Sequence, residues 1–90
     1  MGQKVWVVYI LECNDKTLYT GITDDFERRF AAHNAGKGAK YTRGRGPLVL
    51  RYIEECADKS EALKREYVIK QMPKSKKLEL CNSALISSNS

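Results

Sequence analysis

The chain has 90 residues, about one domain's worth, with room for one modest core. Its 42% hydrophobic and 30% charged residues fit a soluble globular protein, and no stretch approaches the length of a membrane span. The formal net charge of +5 and pI of about 9.2 favour an anionic partner, nucleic acid before a membrane surface, with plain solubility as the simpler explanation. Cys13, Cys56 and Cys81 are odd in number and widely spaced, which excludes a disulfide framework, and with a single histidine a structural zinc site is not expected either. Free thiols suit a reducing compartment, so a cytoplasmic location is expected. The apolar run Val5 to Leu11 is too short for a secretory signal and lacks a small-residue cleavage site.

Val5-Trp6-Val7-Val8-Tyr9-Ile10-Leu11 is β-branched and aromatic almost throughout, the pattern of a strand buried on both faces. Asn14-Asp15-Lys16 is a turn signal, and Thr17 to Thr23 is a second strand that closes a hairpin. Asp24 with Glu27 reads as a capping box that opens a helix to about Ala35, stopped at Gly36. The segment Gly36 to Pro47 carries Lys37, Lys40, Arg43 and Arg45, no acid, and glycines that forbid regular structure. Leu48 to Glu54 is a third strand. Asp58 with Glu61 opens a helix to about Met72, and Pro73 stands in the first turn of a short last helix to about Leu80. The order is β-β-α-β-α-α, a single α/β domain over residues 4–81 with a three-stranded, mainly antiparallel sheet and helices packed against it. The Ser/Asn-rich residues 82–90 read as a disordered tail.

Helix phase separates two neighbouring arginines. At 100° per residue, Phe26, Arg29, Phe30 and His33 fall within one arc, whereas Arg28 points the other way. Arg29 therefore snorkels from a half-buried face or faces a cleft. His33 is either a packed edge imidazole or a working one. On the later helix, Ala62, Leu63, Tyr67 and Ile69 define the apolar arc, and Glu66 falls inside it, while Glu61, Lys64 and Arg65 sit outward. A carboxylate in that position needs a partner. Lys70, one turn on, supplies one; a metal or a catalytic role is the other account. Tyr9 and Tyr19 lie on the two hairpin strands. A three-residue loop pairs Cys13 with Thr17 and puts Tyr9 opposite Gly21, with Tyr19 diagonal on the same face; a two-residue loop puts the phenols on opposite faces.

Val8-Tyr9-Ile10, then Tyr19-Thr20-Gly21, then Arg29 and a helical Glu66 resemble, in order and spacing, the GIY-YIG endonuclease superfamily, most closely its small single-domain bacterial branch. The sequence is also similar to the catalytic modules of excision-repair nucleases and junction resolvases, and the likeness covers roughly Val5 to Leu80. It implies that Tyr9 and Tyr19 are the motif tyrosines, Gly21 the motif glycine, Arg29 the catalytic arginine, His33 the family's His or Tyr, and Glu66 the metal-binding carboxylate. It departs at Val8, where the first motif has glycine, and at Thr20, where the second has isoleucine; neither position carries a group the chemistry needs. The implied activity is hydrolysis of phosphodiester bonds in DNA, or in RNA, with Mg2+ or Mn2+, in DNA repair or recombination. Tyr9 would take the proton of the attacking water, with Tyr19 or His33 assisting, and Arg29 would brace the phosphate. Lys37, Lys40, Arg43 and Arg45 would track the backbone. Specificity would come from a protein partner or a second copy. The alternatives are a non-catalytic nucleic-acid-binding module with the same fold and a protein-interaction module.

Overall fold

The computed structural model describes residues 5–38 and 42–89, with side chains described through Ser83. Three strands, β1 (Trp6–Glu12), β2 (Leu18–Thr23) and β3 (Val49–Cys56), form one antiparallel sheet in the order β2-β1-β3. The helices are α1 (Phe26–Asn34), α2 (Lys59–Gln71) and α3 (Lys74–Asn89), so the element order read from sequence holds.

β1 is the central strand and is buried on both faces, which is why its sequence has no polar alternation. Val7, Tyr9, Leu11 and Cys13 join Leu48 on one face, where Tyr19 and the α1 residues Phe26 and Phe30 cover them. Val8 and Ile10 point to the other, against Ile69 of α2 and Cys81 of α3, with Ile22, Tyr52 and Met72 around them. The β1–β2 turn has three residues: Lys16 N–H donates to the Cys13 carbonyl at 2.9 Å, and Cys13 N–H donates to the Thr17 carbonyl at 2.8 Å. Lys16 takes a left-handed φ of 72° to complete it.

The boundaries differ from the sequence reading in informative places. Asp25, not Asp24, caps α1, accepting from Arg28 N–H, while Asp25 N–H is held by Thr23 Oγ1 at 3.0 Å. Asp58 caps α2 as expected, accepting from Glu61 N–H at 2.9 Å. β3 runs on to Cys56. The backbone of α3 is helical to Asn89, past Leu80 and through most of the expected tail 82–90, whose residues include no glycine or proline to stop it.

The phase of α2 is the larger correction. Ala62 and Ile69 are buried and Glu66 lies between them on the same stripe, but Leu63 and Tyr67 are 46% and 67% exposed. A sheet of three strands shared with α3 gives α2 one narrow contact line, so residues one step round the helix face outward. Arg65 is not an outward residue: its Nε donates to Glu54 Oε1 at 3.0 Å, and the Tyr52 hydroxyl donates to the same oxygen.

Lys16 carries a side chain in a conformation that costs about 1 kcal/mol for residues other than glycine. Lys16→Gly should therefore raise the urea midpoint by the equivalent of up to about 1 kcal/mol at unchanged m-value, offset in part by the freer unfolded chain.

Candidate active site

The register places Tyr9 opposite Gly21 and Leu11 opposite Tyr19, so both phenols share the α1 face of the sheet. Their ring centroids are 6.4 Å apart. Phe26 packs edge-on against Tyr9 at 5.4 Å and stacks on Phe30 at 5.4 Å. Gly21 is required by this arrangement. A Cβ there would lie 2.7 Å from the Tyr9 hydroxyl and 3.0 Å from Tyr19 Cε2, so the Tyr9 ring can lean across the hairpin only over a bare backbone.

The hydroxyl ends on His33. The Tyr9 oxygen and His33 Nε2 are 2.9 Å apart, both side chains are fully buried, and Tyr19 packs edge-on against the same imidazole at 5.2 Å. On the other side of the ring, His33 Nδ1 lies 2.8 Å from Thr42 Oγ1, and Thr42 is itself buried. Gly38 lies against the imidazole so closely that a Cβ would stand 2.4 Å from Nδ1. Helix α1 ends in a Schellman closure, with Lys37 N–H on the Ala32 carbonyl, Gly36 N–H on the His33 carbonyl and Gly36 at φ 79°. That closure sends the chain back over His33. Asn34 then ties the far end, its Oδ1 accepting from Leu48 N–H at 3.1 Å. Thr42 and Gly38 are site residues that sequence reasoning missed; they sit in a loop with no periodicity to betray a buried position.

The electrostatics follow from burial. Desolvation pushes the Tyr9 phenol up to about 12, reinforced by Tyr19 and Glu66 and opposed by Arg29, through hydrogen bonding and charge. Burial first, and Arg29 second, lower His33 below its ordinary value of 6.5. Both groups are therefore neutral at pH 7. A guanidinium can only donate, so among the described residues Nε2 is the acceptor for the phenolic proton. That assigns the ring proton to Nδ1, which donates to Thr42 Oγ1.

The structure thus gathers Tyr9, Tyr19, Gly21, Arg29 and His33 around one phenol, and the charge of Glu66 is felt there from α2. Arg29 is half-buried and Arg28 exposed, as helix phase requires. A cleft of about 360 Å³ opens beside Arg29, walled by Thr23, Asp24, Asp25, Arg28 and Ala32. Glu66 is half-buried and takes Lys70 as its partner, Nζ to Oε2 at 3.2 Å. Among the described residues no three His, Cys, Asp or Glu side chains group as a metal cluster. The donor set therefore does not suit zinc, but one carboxylate suits a hydrated hard cation that keeps most of its waters. Of the basic loop residues, Lys37 and Arg43 are exposed. Arg45 is tied to the hairpin turn, ion-paired to Asp15 and accepting Asn14 N–H at its carbonyl at 2.7 Å. Lys40 lies outside the described residues.

Two outcomes test this geometry. His33 has a depressed pKa in the fold, so its contribution to stability is complete above about pH 6.5 and is lost as pH falls through the folded value. Tyr9, whose pKa is raised to about 12, contributes at the opposite end: its share is complete below the unfolded value of 10.0 and is lost as pH rises through the folded one. The melting temperature should fall between pH 7 and pH 5, and His33→Gln should flatten that fall. Gly21→Ala should cost about 1–3 kcal/mol in a denaturant titration by forcing the Tyr9 ring off His33.

Comparison with known proteins bears on the chain as a whole. A family model described as the GIY-YIG catalytic domain matches residues 5–79. The chain is 59% identical over 70 residues to the UPF0213 protein VNG_2274C of Halobacterium salinarum, covering 78% of this chain and 91% of that one. It is 55% identical over 73 residues to the UPF0213 protein OB0043 of Oceanobacillus iheyensis, covering 81% and 85%. Among solved structures, the solution NMR structure of the UPF0213 protein BH0048 from Bacillus halodurans superposes with a TM-score of 0.57 at 47% identity, covering 87% of this chain and 83% of that one. The solution NMR structure of the protein EF2693 from E. faecalis superposes with a TM-score of 0.63 at 34% identity, covering 91% and 88%. The match spans the hairpin, the sheet and helices α1 and α2 described above, and the chain belongs to the GIY-YIG family and groups with its UPF0213 proteins.

Proposed function

We propose that the chain is a divalent-metal-dependent DNA endonuclease that hydrolyses phosphodiester bonds, acting in DNA repair or recombination. The observation that carries this reading is the Tyr9 hydroxyl: it meets His33 Nε2 at 2.9 Å while Arg29, Tyr19 and Glu66 all act on it. A packing tyrosine needs one acceptor for its hydroxyl, but not an arginine, a second phenol and a carboxylate acting on the same oxygen. Hydrolysis adds water across a P–O bond, so one group must take a proton from the attacking water and another must give one to the departing oxygen. Tyr9 takes the water's proton while passing its own to His33, which is neutral and already accepting. Thr42 holds the imidazole in the tautomer that leaves Nε2 free to accept.

In the free state the Tyr9 phenol exposes no surface, and Arg29 interacts with it. A phosphate draws the guanidinium outward, which both braces the phosphoryl oxygens and uncovers the phenol. Glu66 would hold a Mg2+ or Mn2+ ion, which when bound supplies positive charge at the reacting phosphate and favours ionised oxygen near Tyr9. The residues of the basic loop that are exposed, Lys37 and Arg43, extend the surface for the strand, and RNA offers the same backbone chemistry. Fold specificity for a DNA shape is assigned to a protein partner or a second copy. No helix among the described residues is long and apolar enough to cross a membrane, and the three cysteines are free, which supports a cytoplasmic site of action. The Glu66–Lys70 pair favours the second reading, a nucleic-acid binder that has kept the fold.

The test is a cleavage panel of duplex, flap, branched and single-stranded DNA with Mg2+ or Mn2+. Wild type should nick at least one substrate. Tyr9→Phe, Arg29→Ala and Glu66→Ala should each lose about 100-fold or more in rate. A wild type that cuts nothing on this panel, yet binds DNA with affinity unchanged by Glu66→Ala, would establish the binder instead.

A further inference from the structure

On the opposite face of β2 from the phenols, Thr20 is 4% exposed and its Oγ1 has no hydrogen-bond partner among the described residues. A buried hydroxyl left in this state loses its hydration with nothing in return, a cost that a water or a ligand reaching it would remove. Thr20 lines a cavity of about 250 Å³ whose other walls are Leu18, Tyr19, Lys70 and Lys77. The lining residues include two lysines, a threonine and Tyr19, with no acidic residue among them. Lys77 has no ion-pair partner among the described residues, and Lys70 also holds Glu66 at 3.2 Å. Two lysines from α2 and α3 beside an unused hydroxyl supply the charge and the donor that a tetrahedral oxyanion takes.

We propose that this cavity is a phosphate-binding subsite that takes a backbone phosphate neighbouring the reacting one on the same nucleic-acid strand. Its position supports that assignment: Tyr19 is common to the cavity and to the cluster around His33, and Lys70 links the cavity to Glu66. The assignment to a strand rests on the nuclease reading, whereas oxyanion binding by the cavity does not.

The first arm is an amide NMR titration of the full chain with inorganic phosphate, with chloride at matched ionic strength as reference. The amides of Tyr19, Thr20, Gly21 and Lys77 should shift with phosphate alone. Lys77→Gln should abolish the response, Thr20→Val should weaken it several-fold, and the exposed Lys64→Gln should leave it unchanged. No shift in wild type, or a shift that survives Lys77→Gln, overturns the subsite. The second arm measures binding of labelled DNA in EDTA across a salt series. Lys77→Gln should lower the slope of log affinity against log salt by about 0.7–0.9. An unchanged slope with phosphate binding intact assigns the cavity to free phosphate and overturns the strand assignment. Cleavage failure with both arms positive sinks the nuclease reading and leaves the subsite standing.

Discussion

A phenol taken out of water has to hand its proton to something. In this fold the Tyr9 hydroxyl donates to His33, and most of the site is the set of conditions that makes that hydrogen bond available. Gly21 gives the ring somewhere to lie. The odd-numbered turn with Lys16 in the left-handed region sets the register that puts Gly21 there. The Schellman end of α1 and the bare Gly38 fold the chain back over the imidazole, and Thr42 fixes its tautomer. Loss of any one leaves a buried donor or acceptor unsatisfied, a cost of about 1–3 kcal/mol in a domain whose whole stability is of the order of 5–15 kcal/mol.

The sheet and the arginine were legible in the sequence because they obey simple periods. A continuous β-branched run reads as a strand covered on both sides, and the sequence reduced the side on which Tyr19 falls to a question of loop parity, which the three-residue turn answers. A 100° step was enough to separate Arg29 from Arg28. The same rule placed Glu66 correctly on α2 yet misplaced its neighbours. Leu63 and Tyr67 are apolar and outward, Arg65 is charged and drawn in, and hydrophobicity alone ranks them the wrong way round. What decided them was the width of the sheet and the presence of Glu54 and Tyr52 across the groove, tertiary facts that no local pattern contains. Thr42 and Gly38 were illegible for a different reason: their burial is set by one loop's return path, and a loop has no period.

The ionic contacts divide by what they hold. Arg65–Glu54 and Arg51–Glu12, the latter at 2.6 Å, join neighbouring elements and are partly shielded from water. Arg45–Asp15 is more exposed, so its worth lies less in energy than in tethering the basic loop to the hairpin turn. Glu66–Lys70 is the exception, since it lies within one helix and joins the surroundings of Tyr9 to the cavity lined by Lys70 and Lys77. A cation and a carboxylate held at 3.2 Å on adjacent helical turns offset each other's charge, and each is left without its partner once an outside ion claims the other.

Asn34 has a consequence of another kind. By clasping Leu48 it fixes the two ends of the intervening segment beside each other. The entropy of closing such a loop grows only with the logarithm of its length; doubling it costs about 0.6 kcal/mol. Residues can therefore be inserted beyond Thr42 at little expense to the sheet, while the clasp keeps His33 in place. The fold can vary the reach of its basic strip without disturbing the Tyr9–His33 contact beneath it.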